Sequence, residues 1–168
     1  LWTGKENTTK AFESFEQAIQ EEGANIFMAQ AGQQIMFGES QVILEILYPP
    51  ATLDLEDADT NETSIIAMLK YGKHRVLLPG DTIKKVERAL LEEGKELRAD
   101  ILKIAHHGSK TSSHAAFLES VAPETAVISV GKDNRFSHPH EEVLANLEKY
   151  DIQVRRTDHE GTIIFYLK

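Results

Sequence analysis

Ile101-Leu102-Lys103-Ile104-Ala105-His106-His107-Gly108-Ser109 is the stretch that decides how this chain is read. An apolar run of strand length stops at two adjacent imidazoles and a glycine. Two imidazoles directly after a buried strand are uncommon in a structural role. In an extended segment neighbouring side chains point to opposite sides. One histidine is then free to bind a metal while the other faces substrate or a supporting partner. Gly108 lets the backbone turn closely there. The hydroxyls of Ser109, Thr111, Ser112 and Ser113 suit phosphate oxygens or the cap of a following helix. The plain alternative is a surface loop with two solvated histidines.

Working upstream, apolar runs at 64–70 and 75–78 flank Tyr71-Gly72-Lys73-His74 and predict a hairpin. The second run stops at Pro79-Gly80-Asp81, and 83–91 then reads as a helix capped by Asp81 or Thr82. Downstream, the pattern predicts a helix over 115–121 with Ser113 as a cap and a strand over 125–130. A helix over 141–149, opened by Pro139-His140, follows it. Strands over 152–156 and 162–167 come last, around a turn at 158–161. The 101–105 run itself is expected to be a strand up to His106. Nearer the start, Phe12, Phe15 and Ile19 mark a helix over 9–22, with Thr8 as N-cap and Gly23 as the stop. Short strands are expected at 26–29, 34–37 and 42–47, and the acidic stretch 53–62 reads as a loop. Alternating strands and helices without a repeat or linker predict one α/β layered domain over 1–168. In such folds sites form where loops converge at strand ends.

Three polar clusters fall at those ends. Asp81 is either an N-cap or a metal ligand, since a carboxylate bridges two cations through its two oxygens. The His106-His107 pair is the second cluster. Asn134-Arg135-Phe136-Ser137-His138-Pro139-His140 is the third, in which His138 is a candidate catalytic or phosphate-contacting histidine and His140 a helix start. Asn61 and Ser64 read as turn or cap residues, and His74, His114 and His159 as structural.

The chain has 168 residues, 41% hydrophobic and 27% charged, and no run approaches a membrane span. It begins without a basic start and apolar stretch, as the interior of a longer protein would. A net charge of −9 repels polyanions at long range, so any phosphate contact must be local. Cysteine is absent, which removes disulfides and thiolate ligands. No GxSxG, GxxxxGK[ST] or GxGxxG pattern is present.

Asn61–Ile66, Leu77–Asp81, Leu102–Ser113, Ile128–Gly131, Asn134–His140 and Arg156–Asp158 together resemble the extracytoplasmic metallo-β-lactamase-like domain of ComEC-type competence proteins, the DNA-uptake channels of transformable bacteria. The resemblance implies an α/β fold of the αββα sandwich type, of which this chain supplies mostly the C-terminal half. It implies two divalent metal ions, zinc or manganese, that activate a hydroxide for attack on a phosphodiester or a carbonyl. Asp81 matches the aspartate bridging both metals and His107 the late histidine ligand, with His106 facing substrate and His138 a catalytic histidine near the phosphate. Ser109, Ser112 and Asn134 are the expected substrate contacts. The family's HxHxDH motif is not in this sequence, so the chain is expected to lack the N-terminal portion of its domain, to hold metal weakly or not at all, and to be inactive alone. The implied function is a nuclease acting on DNA during natural transformation. The alternatives are a small-molecule or cell-surface hydrolase of phosphorylcholine-esterase type, or a degenerate binding domain. The implied partners are DNA, the remainder of the polypeptide with its membrane channel, and a second copy of the chain through an exposed apolar sheet face. The implied location is extracytoplasmic, on a bacterial membrane protein, or else secreted.

Overall fold

The computed structural model describes residues 1–39 and 41–168. Seven strands form one sheet in strict chain order: β1 (Gln34–Met36), β2 (Val42–Tyr48), β3 (Ile66–Tyr71), β4 (His74–Leu78), β5 (Ile101–Lys103), β6 (Thr125–Ile128) and β7 (Gln153–Arg156). The first four are an antiparallel meander, and β3 and β4 make the hairpin expected around Gly72. From β4 onward neighbours are parallel. Parallel strands need crossovers, and α2 (Lys84–Glu92), α3 (Ala115–Val121) and α4 (Glu141–Lys149) supply them. The mixed α/β fold expected from the sequence is the one found.

One row across the sheet shows how the core is built. Met68, Leu77, Leu102 and Ala126 are register partners on successive strands, and each is fully buried. They pack with Val86 and Leu90 of α2, Phe117, Leu118 and Val121 of α3, and Val143 and Leu147 of α4. At roughly 1.5–3 kcal/mol per buried large apolar side chain, this layer supplies the main stabilisation. The next row presents Leu44, Leu69 and Val76 to the opposite face, where they are only half-buried. A sheet with helices on one face is one half of an αββα sandwich.

Several local expectations are corrected. Helix α1 (Lys10–Glu22) is capped by Thr9, whose side chain accepts from the Phe12 N–H, and not by Thr8. Gly23 ends it in the left-handed region, as expected. The stretch 26–29 is no strand, because only Met28 bridges Trp2 before the chain turns into β1. Nor is 162–167. After β7 comes the helical turn α5 (Thr157–Glu160), where an open turn was expected. The chain then leaves the edge of β7: Arg155 lies over the Phe165 ring at 5.6 Å, and His74 Nε2 reaches the Lys168 carbonyl oxygen at 2.9 Å. That segment therefore crosses from β7 towards β4 and forms no ladder. Ile83 stands at the N-cap position of α2 without a side-chain hydrogen bond, so neither Asp81 nor Thr82 caps that helix. Helix α3 starts after His114, not Ser113, and a buried carboxylate from α2 serves its N-terminus: Glu87 accepts from the Ser113 N–H at 2.6 Å and from the His114 N–H at 3.1 Å.

Candidate functional site

Three loops leave the C-terminal ends of β4, β5 and β6 and meet at one edge of the sheet. The first carries Asp81. Gly80 before it has φ +61°, and a Cβ there would stand 3.2 Å from Ser64 Cβ, so glycine suits the tight approach to the chain entering β3.

The second loop departs from the extended geometry expected for the histidine pair. Strand β5 ends at Lys103, and His106 and His107 adopt left-handed backbone angles, φ +48° and +56°. Non-glycine residues rarely sit there. Hydrogen bonds hold the turn: His106 N–H donates to the Gly80 carbonyl at 3.1 Å and Ser109 N–H to the His106 carbonyl at 2.9 Å. Ser112 is buried, and its hydroxyl donates to the carbonyls of Ala105 and Ser109, both at 3.0 Å. Ser112 thus braces the loop and does not face the cleft. Ser109 is also buried and bonds Thr111 Oγ1 at 3.0 Å, while Thr111 Oγ1 stands 3.4 Å from His106 Nδ1.

The third loop is built on Asn134. Its amide donates to the carbonyls of Gly131 and His138, and its carbonyl oxygen accepts from the N–H groups of Phe136 and His138. The His138–Pro139 peptide is cis. Pro139 packs so closely on Gly108 that a Cβ at Gly108 would lie 2.5 Å from Pro139 Cβ. His140 caps α4, and its Nδ1 accepts from the Lys110 N–H at 3.3 Å.

These loops bring the expected residues together. His107 Nε2 is 3.8 Å from Asp81 Oδ1. The ring of His138 lies 5.8 Å from that of His106 and 4.9 Å from that of His140. An open cleft of about 440 Å3 is lined by His107, Ser129, Asn134, Phe136, His138 and Thr157, among others. His107 Nδ1 is 2.7 Å from the Ser129 carbonyl oxygen, which can only accept, so Nδ1 carries the proton. The Nε2 lone pair is thereby left free on the side of Asp81, the arrangement typical of a metal-ligating imidazole. Two donors about 2.0–2.2 Å from one ion stand at most roughly 4 Å apart, and 3.8 Å lies within that reach. Asp81 and His107 therefore fit as two ligands. Among the described residues no group of three or more such side chains is assembled to hold an ion.

Two site residues escaped the sequence. Lys103 Nζ is 3.7 Å from Asp81 Oδ1 and donates to the Gly80 carbonyl at 3.2 Å. Burial pulls its ammonium below the usual lysine range, and the Asp81 carboxylate partly restores it. The Ser129 carbonyl is the other. A lysine alternating within an apolar strand reads as a solvent-facing position, and a backbone carbonyl has no sequence signal at all. His138 sits below the usual histidine range, first because of burial and then because His140, His106 and His107 surround it. Asp81 acts in the opposite direction. The net direction favours the neutral form of His138.

Comparison with known proteins follows the same lines. No family model matches the chain. It is 36% identical over 152 residues to ComE operon protein 3 of Bacillus subtilis, which covers 90% of this chain and 19% of the relative. It is 35% identical over 127 residues to Competence protein ComA of Neisseria gonorrhoeae, covering 75% and 18%. Recombination protein 2 of Haemophilus influenzae is 35% identical over 103 residues, covering 61% and 13%. The chain thus spans a fifth or less of these relatives. A solved structure described as "Putative metal-dependent hydrolase" from Parabacteroides distasonis superposes with TM-score 0.51 at 16% identity, covering 85% of this chain and 62% of the other. That likeness shows the fold, a mixed α/β layer of the metallo-β-lactamase-like type. The sequence similarities link this chain to the competence proteins.

Proposed function

We propose that this chain is part of a metal-dependent phosphodiesterase that cleaves DNA during natural transformation. The observation that carries the reading is His107. Its Nδ1 is fixed on the Ser129 carbonyl and its Nε2 is turned towards the Asp81 carboxylate. Asp81 and His107 would hold a divalent ion, zinc or manganese, which supplies activation of a water molecule near neutral pH. The remaining ligands come from elsewhere in the polypeptide, whose other portion also covers the half-buried apolar face of the sheet. His138, neutral and at the cleft, has no hydrogen bond to its ring among those described and offers an N–H to a phosphate oxygen. Asn134 acts through the loop, because its amide is spent on Gly131 and His138. Ser109 acts likewise through Thr111, which stands beside His106.

In this reading the chain is an extracytoplasmic part of a bacterial membrane protein, with the channel elsewhere in the polypeptide. No helix among its described residues is long and apolar enough to cross a membrane. The net charge of −9 favours a second reading, a hydrolase of small phosphoesters. The longer polypeptide is assayed with manganese or zinc on single- and double-stranded DNA and on bis-p-nitrophenyl phosphate. The DNA reading expects turnover of both substrate types and its loss in Asp81→Asn and His107→Ala. Turnover of the small ester without DNA cleavage selects the second reading, and full activity in Asp81→Asn refutes both. The 168-residue chain alone should bind the ion weakly and turn nothing over.

A further inference from the structure

We propose that Phe136, with Arg135, is a stacking platform for an unpaired nucleobase beside the cleft, so that the site takes single-stranded DNA in preference to duplex. The proposal rests on the phosphodiesterase reading and adds the form of the substrate.

Phe136 is 59% exposed, although it lines the cleft together with His107 and His138. A lone exposed phenylalanine is ordinary. This one is held in place. Asn134 ties the loop through four hydrogen bonds, one of them from the Phe136 N–H itself at 3.2 Å. The ring stacks on His138 with centroids 5.7 Å apart and an interplanar angle of 24°. The guanidinium carbon of Arg135 lies 4.8 Å from the ring centre. The exposed ring thus carries a stacked imidazole and has the Arg135 guanidinium over it, at the cleft that His107 also lines, so a base stacks on the guanidinium or takes its place on the ring.

Nucleobases stack on such surfaces whatever their identity, because each has a π-face, and the flanking cation meets the phosphate. In a duplex those faces are already covered by neighbouring bases, so a double strand must be unstacked before it can use the platform. Lys132 and Arg135 also outnumber the one carboxylate of their loop, Asp133, in a chain of net charge −9. That local surplus is the kind of short-range phosphate contact the overall charge requires.

The test uses the longer polypeptide with its metal removed. Binding of a labelled oligonucleotide is followed by anisotropy, and 2-aminopurine quenching reports stacking. Phe136→Ala should weaken single-strand binding about tenfold, within the range of one lost base stack. It should also abolish the quenching, while Phe136→Trp retains both. Duplex of equal length should respond less than about twofold. An oligonucleotide with abasic sites should bind wild type no better than intact DNA binds Phe136→Ala. Unchanged single-strand affinity in Phe136→Ala, an equal loss on duplex, or no single-strand binding by wild type overturns the platform. Failure of the phosphodiesterase reading looks different. The base-free ester bis-p-nitrophenyl phosphate would go unhydrolysed by the longer polypeptide, with the Phe136 dependence of binding intact.

Discussion

Replacing Gly108 by alanine isolates the contact that seats the third loop on the second. The new methyl carbon would lie 2.5 Å from Pro139 Cβ and 3.0 Å from Pro139 Cα. Carbon atoms settle at about 3.5–4.0 Å, so the overlap is roughly 1 Å. Part of it falls on backbone, which cannot rotate away. Gly108 also has φ +84°, where an L side chain costs about 1–2 kcal/mol. Overpacking adds about 1–3 kcal/mol, for a total of roughly 2–5 kcal/mol. Gly72→Ala is the control. It too has positive φ, +56°, but nothing lies within 4 Å of its added carbon, so it bears only the strain. Urea unfolding of both variants gives the comparison. Gly108→Ala should be less stable than Gly72→Ala by about 1–3 kcal/mol, and its His138 ring resonances should shift as the loop backs away. Equal stabilities within about 0.5 kcal/mol, with His138 resonances unmoved, would refute the idea that Pro139 is clamped on Gly108.

Glu87 is fully buried and accepts from two backbone N–H groups and from His114 Nδ1 at 2.6 Å. Glu87→Ala should cost about 3–5 kcal/mol in chemical denaturation; a loss below about 1 kcal/mol means that water replaces the carboxylate. Asp158 is held below the ordinary aspartate range, first by hydrogen bonds from Arg156 at 3.0 and 2.6 Å, which outweigh its burial. Its folded value lies under the unfolded value of about 3.9, so its stabilisation is complete above that pH and is lost as pH falls through the folded value. The stability gap between wild type and Asp158→Asn should therefore be constant above about pH 5 and close below about pH 4; a gap independent of pH would show that the pair is not ionic. His138 is shifted the other way relative to its charge state, being held neutral. Acidification below about 6.5, the unfolded value, should lower stability less in His138→Gln than in wild type, and identical pH profiles would contradict this.

Much of the architecture was legible because it rests on periodicity. The hairpin around Gly72, the three crossover helices and the buried strand before His106 follow from spacing and turn residues alone. Residues that meet across the sheet were harder. Asp81 and His107 could be named because each closely follows an apolar run, and His138 because its polar cluster lies in the loop after another; their meeting follows from parallel strands delivering their C-terminal ends to one edge. The left-handed backbone of His106 and His107 had no signal, since it is imposed by the Gly80 carbonyl and the loop behind. Glu87 was hidden as one more acid in a charged helix, and its partners lie 26 and 27 residues away. The segment 162–167 is a continuous apolar and aromatic run that reads as a strand, but it forms no ladder with the edge strand β7, and Lys168 instead meets His74 at the start of β4.

The strict chain order of the strands has a consequence for synthesis. Every strand adds to an edge that the preceding residues have already made, and none must be inserted between two earlier ones. Consecutive strands are spatial neighbours, but the parallel pairs from β4 onward join residues some 24–28 apart in sequence, so each crossover must close a long loop before its pairing forms. A nascent chain can lay down the meander first and extend it one crossover at a time as the ribosome delivers it. Asp81 waits at the growing edge for the histidine pair, and the pair waits for His138, so these residues come together only once β6 and the loop after it are in place.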